Sequence, residues 1–162
     1  MLKKIKDLCR SIQDKTFYSN KVLLEALNLA QVEGRKVHFI GLVSDGGVHS
    51  SQEHLHALCR LSKNLGLSKV FIHAFTDGRD CDPKSGLGFI KKLEAIITDG
   101  PVKIATVIGR YFAMDRDNRW ERIKKSYDAC LLYTSPSPRD QRGSRLPAWA
   151  GKKKGGGGGG GG

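Results

Sequence analysis

Apolar residues recur at two distinct periods along the first 129 positions and then stop recurring. Leu2, Ile5, Leu8, Cys9 and Ile12 fall three or four apart, which predicts an amphipathic helix. A break follows at residues 14–19. Asn20 is of a type that caps helices, and Val22, Leu23, Leu24, Leu27, Leu29 and Ala30 after it predict a second helix stopping at Gly34. Apolar runs rich in β-branched and aromatic residues predict strands at residues 36–43, 70–75 and 103–108. Helical spacing returns at residues 52–65, 86–97 and 118–129. The order is α-α-β-α-β-α-β-α. Strands alternating with helices imply parallel strands joined by crossovers, hence an α/β fold with a partial parallel-sheet α/β/α domain. Three strands are few for a sheet covered on both faces, so later strands of this domain are expected to be missing.

Beyond residue 129 the pattern changes. Residues 130–162 are expected to be a disordered tail that does not belong to the domain at 1–129. From residue 131 onward lie ten of the twenty glycines, three of the five prolines and few aliphatics. A glycine run has maximal backbone entropy and no side chain to bury. The string from Cys130 to Asp140 also resembles a translated sequencing adapter, and the lysine and glycine runs after it resemble read-out beyond one. Of the net charge of +12, +5 sits in this tail, leaving +7 for the body. A basic chain raises nucleic acid as a partner. That reading needs Lys and Arg interleaved with aromatics on one face, whereas the aromatics here fall mostly in strands and helix cores. No nucleic acid and no membrane is expected as a partner. The four cysteines, Cys9, Cys59, Cys81 and Cys130, form no CxxC pair. With no signal-like segment at the start, this suits free thiols in a reducing, cytoplasmic setting.

Candidate chemistry lies in three polar motifs, each directly after a predicted strand. They are Ser44-Asp45-Gly46-Gly47-Val48-His49-Ser50, Thr76-Asp77-Gly78-Arg79-Asp80 and Gly109-Arg110-Tyr111-Phe112-Ala113-Met114-Asp115-Arg116-Asp117. Ligands of open α/β sheets bind outside the carboxyl ends of the strands, so the three loops predict one shared pocket. Two glycines let the first loop approach a ligand closely. His49 and Ser50 would stand at a helix start, where N–H groups favour an anion; alternatively Ser50 only caps the helix. Arg79 offers a fork for carboxylate or phosphate. Asp80 would hold a hydroxyl or exchange its proton, or else simply pair with Arg79 across the turn. Arg110 and Arg116 need an anion or acid between them, a place that Asp115 and Asp117 could fill. Arg119 and Arg122 read as structural groups on a helix face. His54 and His56 are two apart and share no helix face. His38 and His73 lie in strands and are expected to be packed or hydrogen-bonded.

Together these motifs, with Leu23-Leu24-Glu25-Ala26 and residues 109–122, resemble the cofactor-independent (2,3-bisphosphoglycerate-independent) phosphoglycerate mutases. The resemblance covers residues 1–129. It implies an isomerase of glycolysis that interconverts 3-phosphoglycerate and 2-phosphoglycerate through a phosphoserine. It also implies two divalent metal ions, usually manganese, in a phosphatase-like domain, and an inserted transferase domain that holds the glycerate. This chain resembles the first part of that inserted domain. By motif position, His49 contacts substrate. Arg79 and Asp80 bind the glycerate, with Asp80 the candidate for proton exchange, and Arg110 and Arg116 hold carboxylate or phosphate. The parent enzyme is expected to be a monomer. Ser51 stands where the family often has a second histidine. The metal ligands, the nucleophilic serine, a later arginine-rich loop and a lysine contact are absent from this sequence, so the chain alone is expected to be inactive. The alternative is a standalone module that binds phosphate or carboxylate without catalysis.

Overall fold

The computed structural model of this chain describes residues 2–134. Helix α1 (Leu2–Gln13) leads through a 3-10 turn (Thr16–Ser19) to α2 (Lys21–Val32). Then β1 (Val37–Val43), α3 (Gln52–Asn64), β2 (Val70–Thr76), α4 (Gly86–Ile97) and β3 (Val102–Gly109) alternate. A single helical turn, α5 (Arg110–Ala113), and the helix α6 (Trp120–Thr134) follow. The three strands form one parallel sheet in the order β1-β2-β3.

Local chemistry explains most of the boundaries. Asn20 caps α2 as expected, its Oδ1 accepting from the Leu23 N–H at 3.2 Å. Gly34 and Gly66, just past α2 and α3, take φ values of 60° and 68°, the left-handed conformation that closes helices at little steric cost for glycine. Three differences from the sequence pattern stand out. The break at residues 14–19 holds a 3-10 turn whose Phe17 is buried. The loop after β3 begins with a helical turn, α5, too short to show a hydrophobic period. Finally, α6 runs to Thr134 rather than ending at 129. Residues 130–134 contain neither glycine nor proline, and nothing in their chemistry stops a helix. Residues 135–162, the rest of the expected tail, lie outside the described residues.

The core is centred on β2. Ile72, His73 and Ala74 are consecutive and all buried. Successive strand side chains point to opposite faces, so both faces of the central strand are covered. Val70 and Val102 join them, with Ala57, Cys59 and Leu61 from α3 and Phe89, Ile90 and Leu93 from α4. The edge strands are more open; Ile40 of β1 is exposed.

Register matters most for the site. Val43 pairs with Thr76, and Thr76 with Gly109. All three strands therefore end level, and the three loops leave from one row. A shift in the β2–β3 pairing between Ile72 and His73 sets His73 opposite Thr106. There the His73 Nδ1 lies 2.9 Å from Thr106 Oγ1, and its Nε2 lies 2.9 Å from His38 Nδ1. This side-chain chain spans all three strands.

That chain should make stability depend on pH. Burial lowers the pKa of both His38 and His73, and the charges of Lys36 and of the partner histidine add to the effect. The unfolded state therefore binds more protons near the ordinary histidine pKa, and stability rises with pH there. Stability from this source is full above about pH 6.5 and declines as pH falls below it. The expected result is a lower denaturant midpoint at pH 5 than at pH 8. A His73→Phe variant should show a shallower dependence over the same interval.

Candidate functional site

The first residue of each loop already contributes. Ser44, buried at the end of β1, points its Oγ at Asp77 Oδ2, to which it donates at 2.8 Å. Its carbonyl accepts the Gln52 N–H at 2.8 Å. The first loop thus leaves the sheet and returns to α3 as a closed hairpin of chain. Ser51, not Ser50, occupies the position before α3, and it makes no side-chain cap. Ser50 instead sits with its Oγ 3.2 Å from that of Ser44, so the capping role expected for Ser50 does not hold.

Gly46 is where the first loop meets the second. A Cβ on Gly46 would lie 2.8 Å from the Asp80 carbonyl oxygen and 2.9 Å from the Asp80 Cβ. These are backbone-anchored atoms that cannot swing aside. Gly41 of β1, by contrast, has nothing within 4 Å of such a Cβ. Gly46→Ala should therefore destabilise the chain by about 1–3 kcal/mol through overpacking and shift the amide resonances of residues 77–81. Gly41→Ala should change stability by less than about 1 kcal/mol. Denaturant titration of both variants checks the contrast.

The second loop is organised by Asp77. Its side chain is 1% exposed. Oδ1 accepts the N–H groups of Arg79 and Asp80 at 3.0 and 3.1 Å, and the Arg110 Nη1 at 2.8 Å. Burial alone would raise the Asp77 pKa. The bonds from Arg110, from Ser44 and from the two backbone N–H groups outweigh it and hold the carboxyl down to about 2. Arg110 Nη1 also donates to Asp80 Oδ2 at 2.8 Å. The same Asp80 oxygen lies 3.8 Å from His49 Nε2. The Arg79–Asp80 pair considered from sequence is thus replaced by an Arg110 bridge between Asp77 and Asp80. The bonds from these two carboxylates in turn raise the Arg110 pKa.

The third loop begins in α5, whose first residue is Arg110, directly at the end of β3. Asp115 and Asp117 are the acids that could stand between Arg110 and Arg116. They bind Arg122 instead, at 3.0 and 3.4 Å, and the Arg122 guanidinium lies over the Tyr111 ring at 4.1 Å. Arg122 is therefore a brace between α6 and this loop, in line with its structural reading.

His49, Arg79, Asp80, Arg110 and Arg116 all line one cleft of about 500 Å³, together with Tyr111, Met114, Asp115, Asp117 and Arg122. Of its four arginines, Arg110 and Arg122 are each held by two carboxylates. Arg79 and Arg116 pair with no carboxylate among the described residues. The cleft thus has two guanidinium groups each bonded to two carboxylates, and two further guanidinium forks available to an anion. Sequence reasoning overlooked Asp77 as the junction of the loops and Tyr111 and Met114 as lining. The Asp-Gly pair after β2 was the available signal for Asp77, because an Asp carboxylate commonly binds backbone N–H groups two residues on. Nothing marked Tyr111 and Met114 without knowledge of α5. No three or more His, Cys, Asp or Glu side chains gather into a metal-binding group among the described residues. The Asp77, Asp80 and Asp115 carboxylates are already bound to guanidinium groups. This donor set does not fit a metal centre.

Comparison with known proteins gives the site its context. The family profile described as the BPG-independent PGAM N-terminus matches residues 8–146. A 2,3-bisphosphoglycerate-independent phosphoglycerate mutase of Flavobacterium johnsoniae is 54% identical over 118 residues, which are 73% of this chain and 23% of that protein. The corresponding mutase 1 of Methanosarcina acetivorans is 53% identical over 126 residues, 77% of this chain and 24% of that protein. A crystal structure of Leishmania mexicana phosphoglycerate mutase, determined at low cobalt concentration, superposes with a TM-score of 0.68 at 29% identity. It covers 77% of this chain and 24% of the solved one. The chain thus spans about a quarter of the length of the relatives it matches.

Proposed function

This chain belongs to the BPG-independent phosphoglycerate mutase family, and from that premise we propose that its cleft is the glycerate-holding part of such an enzyme. Its relatives are isomerases by name. The observation that carries the reading is the pair of guanidinium groups, on Arg79 and Arg116, that line the cleft without a carboxylate partner among the described residues. A planar fork matches a carboxylate or phosphate with two parallel bonds. 3-Phosphoglycerate carries one of each, and between them a hydroxyl that can donate to Asp80. Asp80, fixed by Arg110 and near His49, is then the group that receives or returns the hydroxyl proton.

The rest of the reaction belongs, in this reading, to the three quarters of the relatives' length that this chain does not span. That part supplies the serine nucleophile and the divalent metal ions, manganese among the candidates, that activate it. The described residues hold no fitting metal centre, and Ser44, beside Asp77, faces a carboxylate whose pKa is held down to about 2, too weak a base to activate it. The chain alone is therefore expected to bind and not to turn over. A standalone binding module is not favoured, because the family profile and the relatives all belong to the longer mutase.

The test is a titration of the 162-residue chain with 3-phosphoglycerate and, separately, with inorganic phosphate, followed by NMR. Half a site should bind 3-phosphoglycerate at about millimolar Kd, with shifts at His49, Arg79 and Arg116. Inorganic phosphate should bind about tenfold more weakly, since it engages one fork. Equal affinity for the two anions would refute a shaped glycerate site.

A further inference from the structure

Asp77 does not line the cleft, yet it touches every loop that builds it. Its two oxygens receive Ser44 Oγ from the first loop, the Arg79 and Asp80 N–H groups from its own, and Arg110 Nη1 from the third. Five N–H donors are available on a guanidinium, and here one nitrogen, Nη1, serves both Asp77 and Asp80. That nitrogen is thus held equally closely by a buried carboxylate behind the cleft and by the one at its surface. Removing the negative charge at Asp77 while keeping its shape would leave Asp80 as the only acid on Arg110 among the described residues, and Asp80 is tethered through the same turn.

We infer that Asp77 is a positioning residue, which fixes the Arg110 guanidinium and the Asp80 carboxylate relative to one another before substrate arrives. Its importance for binding rests on the glycerate reading above; its hold on Arg110 does not. Ser44 is its auxiliary: by donating to Oδ2 it keeps the carboxylate turned so that Oδ1 faces Arg110. An Asn at position 77 can still accept the two backbone N–H groups through its oxygen and donate to Ser44 through its amide. Asp77→Asn therefore preserves the turn and removes the charge that orients Arg110, which isolates positioning from folding.

The experiment uses the full 162-residue chain and two readouts, the Nη–H resonances of Arg110 in ¹⁵N spectra and the Kd for 3-phosphoglycerate. Arg110→Lys assigns the resonances. In the wild type, Arg110 should show separate, slowly exchanging Nη signals, a mark of hindered rotation. In Asp77→Asn they should average while the strand amides stay in place, and the Kd should rise about tenfold. Ser44→Ala, which keeps the charge and loses the auxiliary, should fall between the two. Freely averaging Arg110 signals in the wild type would overturn the inference whether or not any variant folds. So would an Asp77→Asn protein that is merely less stable, with Arg110 signals and Kd unchanged. If the Arg110 signals behave as expected but the wild type binds no 3-phosphoglycerate, the glycerate reading fails, and with it the role assigned to Asp77 in binding.

Discussion

Arg110→Met should be the most destabilising single substitution in the cleft, by about 3 kcal/mol at pH 7. Methionine replaces the apolar stem of the arginine, so most of its packing survives. What is lost is the charge between two acids. The Asp77 side chain is 1% exposed and that of Asp80 14%, while Arg110 itself is 12% exposed. Without Arg110, one buried carboxylate loses its charged partner and faces a second carboxylate across the gap. Two further results follow. The Asp77 pKa should rise from about 2. A folded pKa below the unfolded value contributes stability that is present above about pH 4 and lost as pH falls through the folded pKa. The stability gap between wild type and Arg110→Met should therefore narrow in acid. In addition, Asp77→Asn combined with Arg110→Met should be more stable than Arg110→Met alone, because the double variant no longer buries an unpaired charge. Denaturant titrations at pH 7 and pH 3 measure both. If the double variant is the less stable, the electrostatic account of the Arg110 bridge is wrong.

The strands were the most legible part of the chain. Dense apolar runs bounded by polar loops placed each strand end within a residue of its observed position, Val43, Thr76 and Gly109 included. The three motifs after them were legible as a common edge, because a parallel sheet sends successive loops to the same side. What could not be read was how the loops close. Whether Asp80 pairs with Arg79 or Arg110 depends on where β3 ends relative to β2, and that is a matter of register. The same holds for the chain from His38 through His73 to Thr106, which needs a pairing shift that no local pattern signals. α5 escaped because four residues contain barely one turn. The continuation of α6 past residue 129 escaped because the change of composition was read as a boundary, whereas a helix stops for lack of bonds or at a breaker.

The second large effect concerns turnover in a full-length setting. If the cleft holds the glycerate, its parts should work inside a relative that supplies the remainder. Residues 8–129 of this chain can be exchanged for the matching segment of the Flavobacterium johnsoniae mutase, with which it shares 54% identity over 118 residues. Arg79→Ala and Arg116→Ala, made in this chimaera, each remove one fork that no carboxylate among the described residues occupies. They should leave stability almost unchanged and reduce kcat/KM by about a hundredfold or more, as expected when a charged contact to the reacting ligand is lost. Ile40→Ala, at an exposed position on β1, should have little effect on either quantity.

The measurement that tests the central claim most directly is the rate at which this chimaera interconverts 3-phosphoglycerate and 2-phosphoglycerate. The account predicts activity within about tenfold of the parent mutase, and its collapse in Arg79→Ala with the fold intact. A folded chimaera that is inactive, or one that is active and indifferent to Arg79→Ala and Arg116→Ala, would contradict the assignment of this cleft to the glycerate.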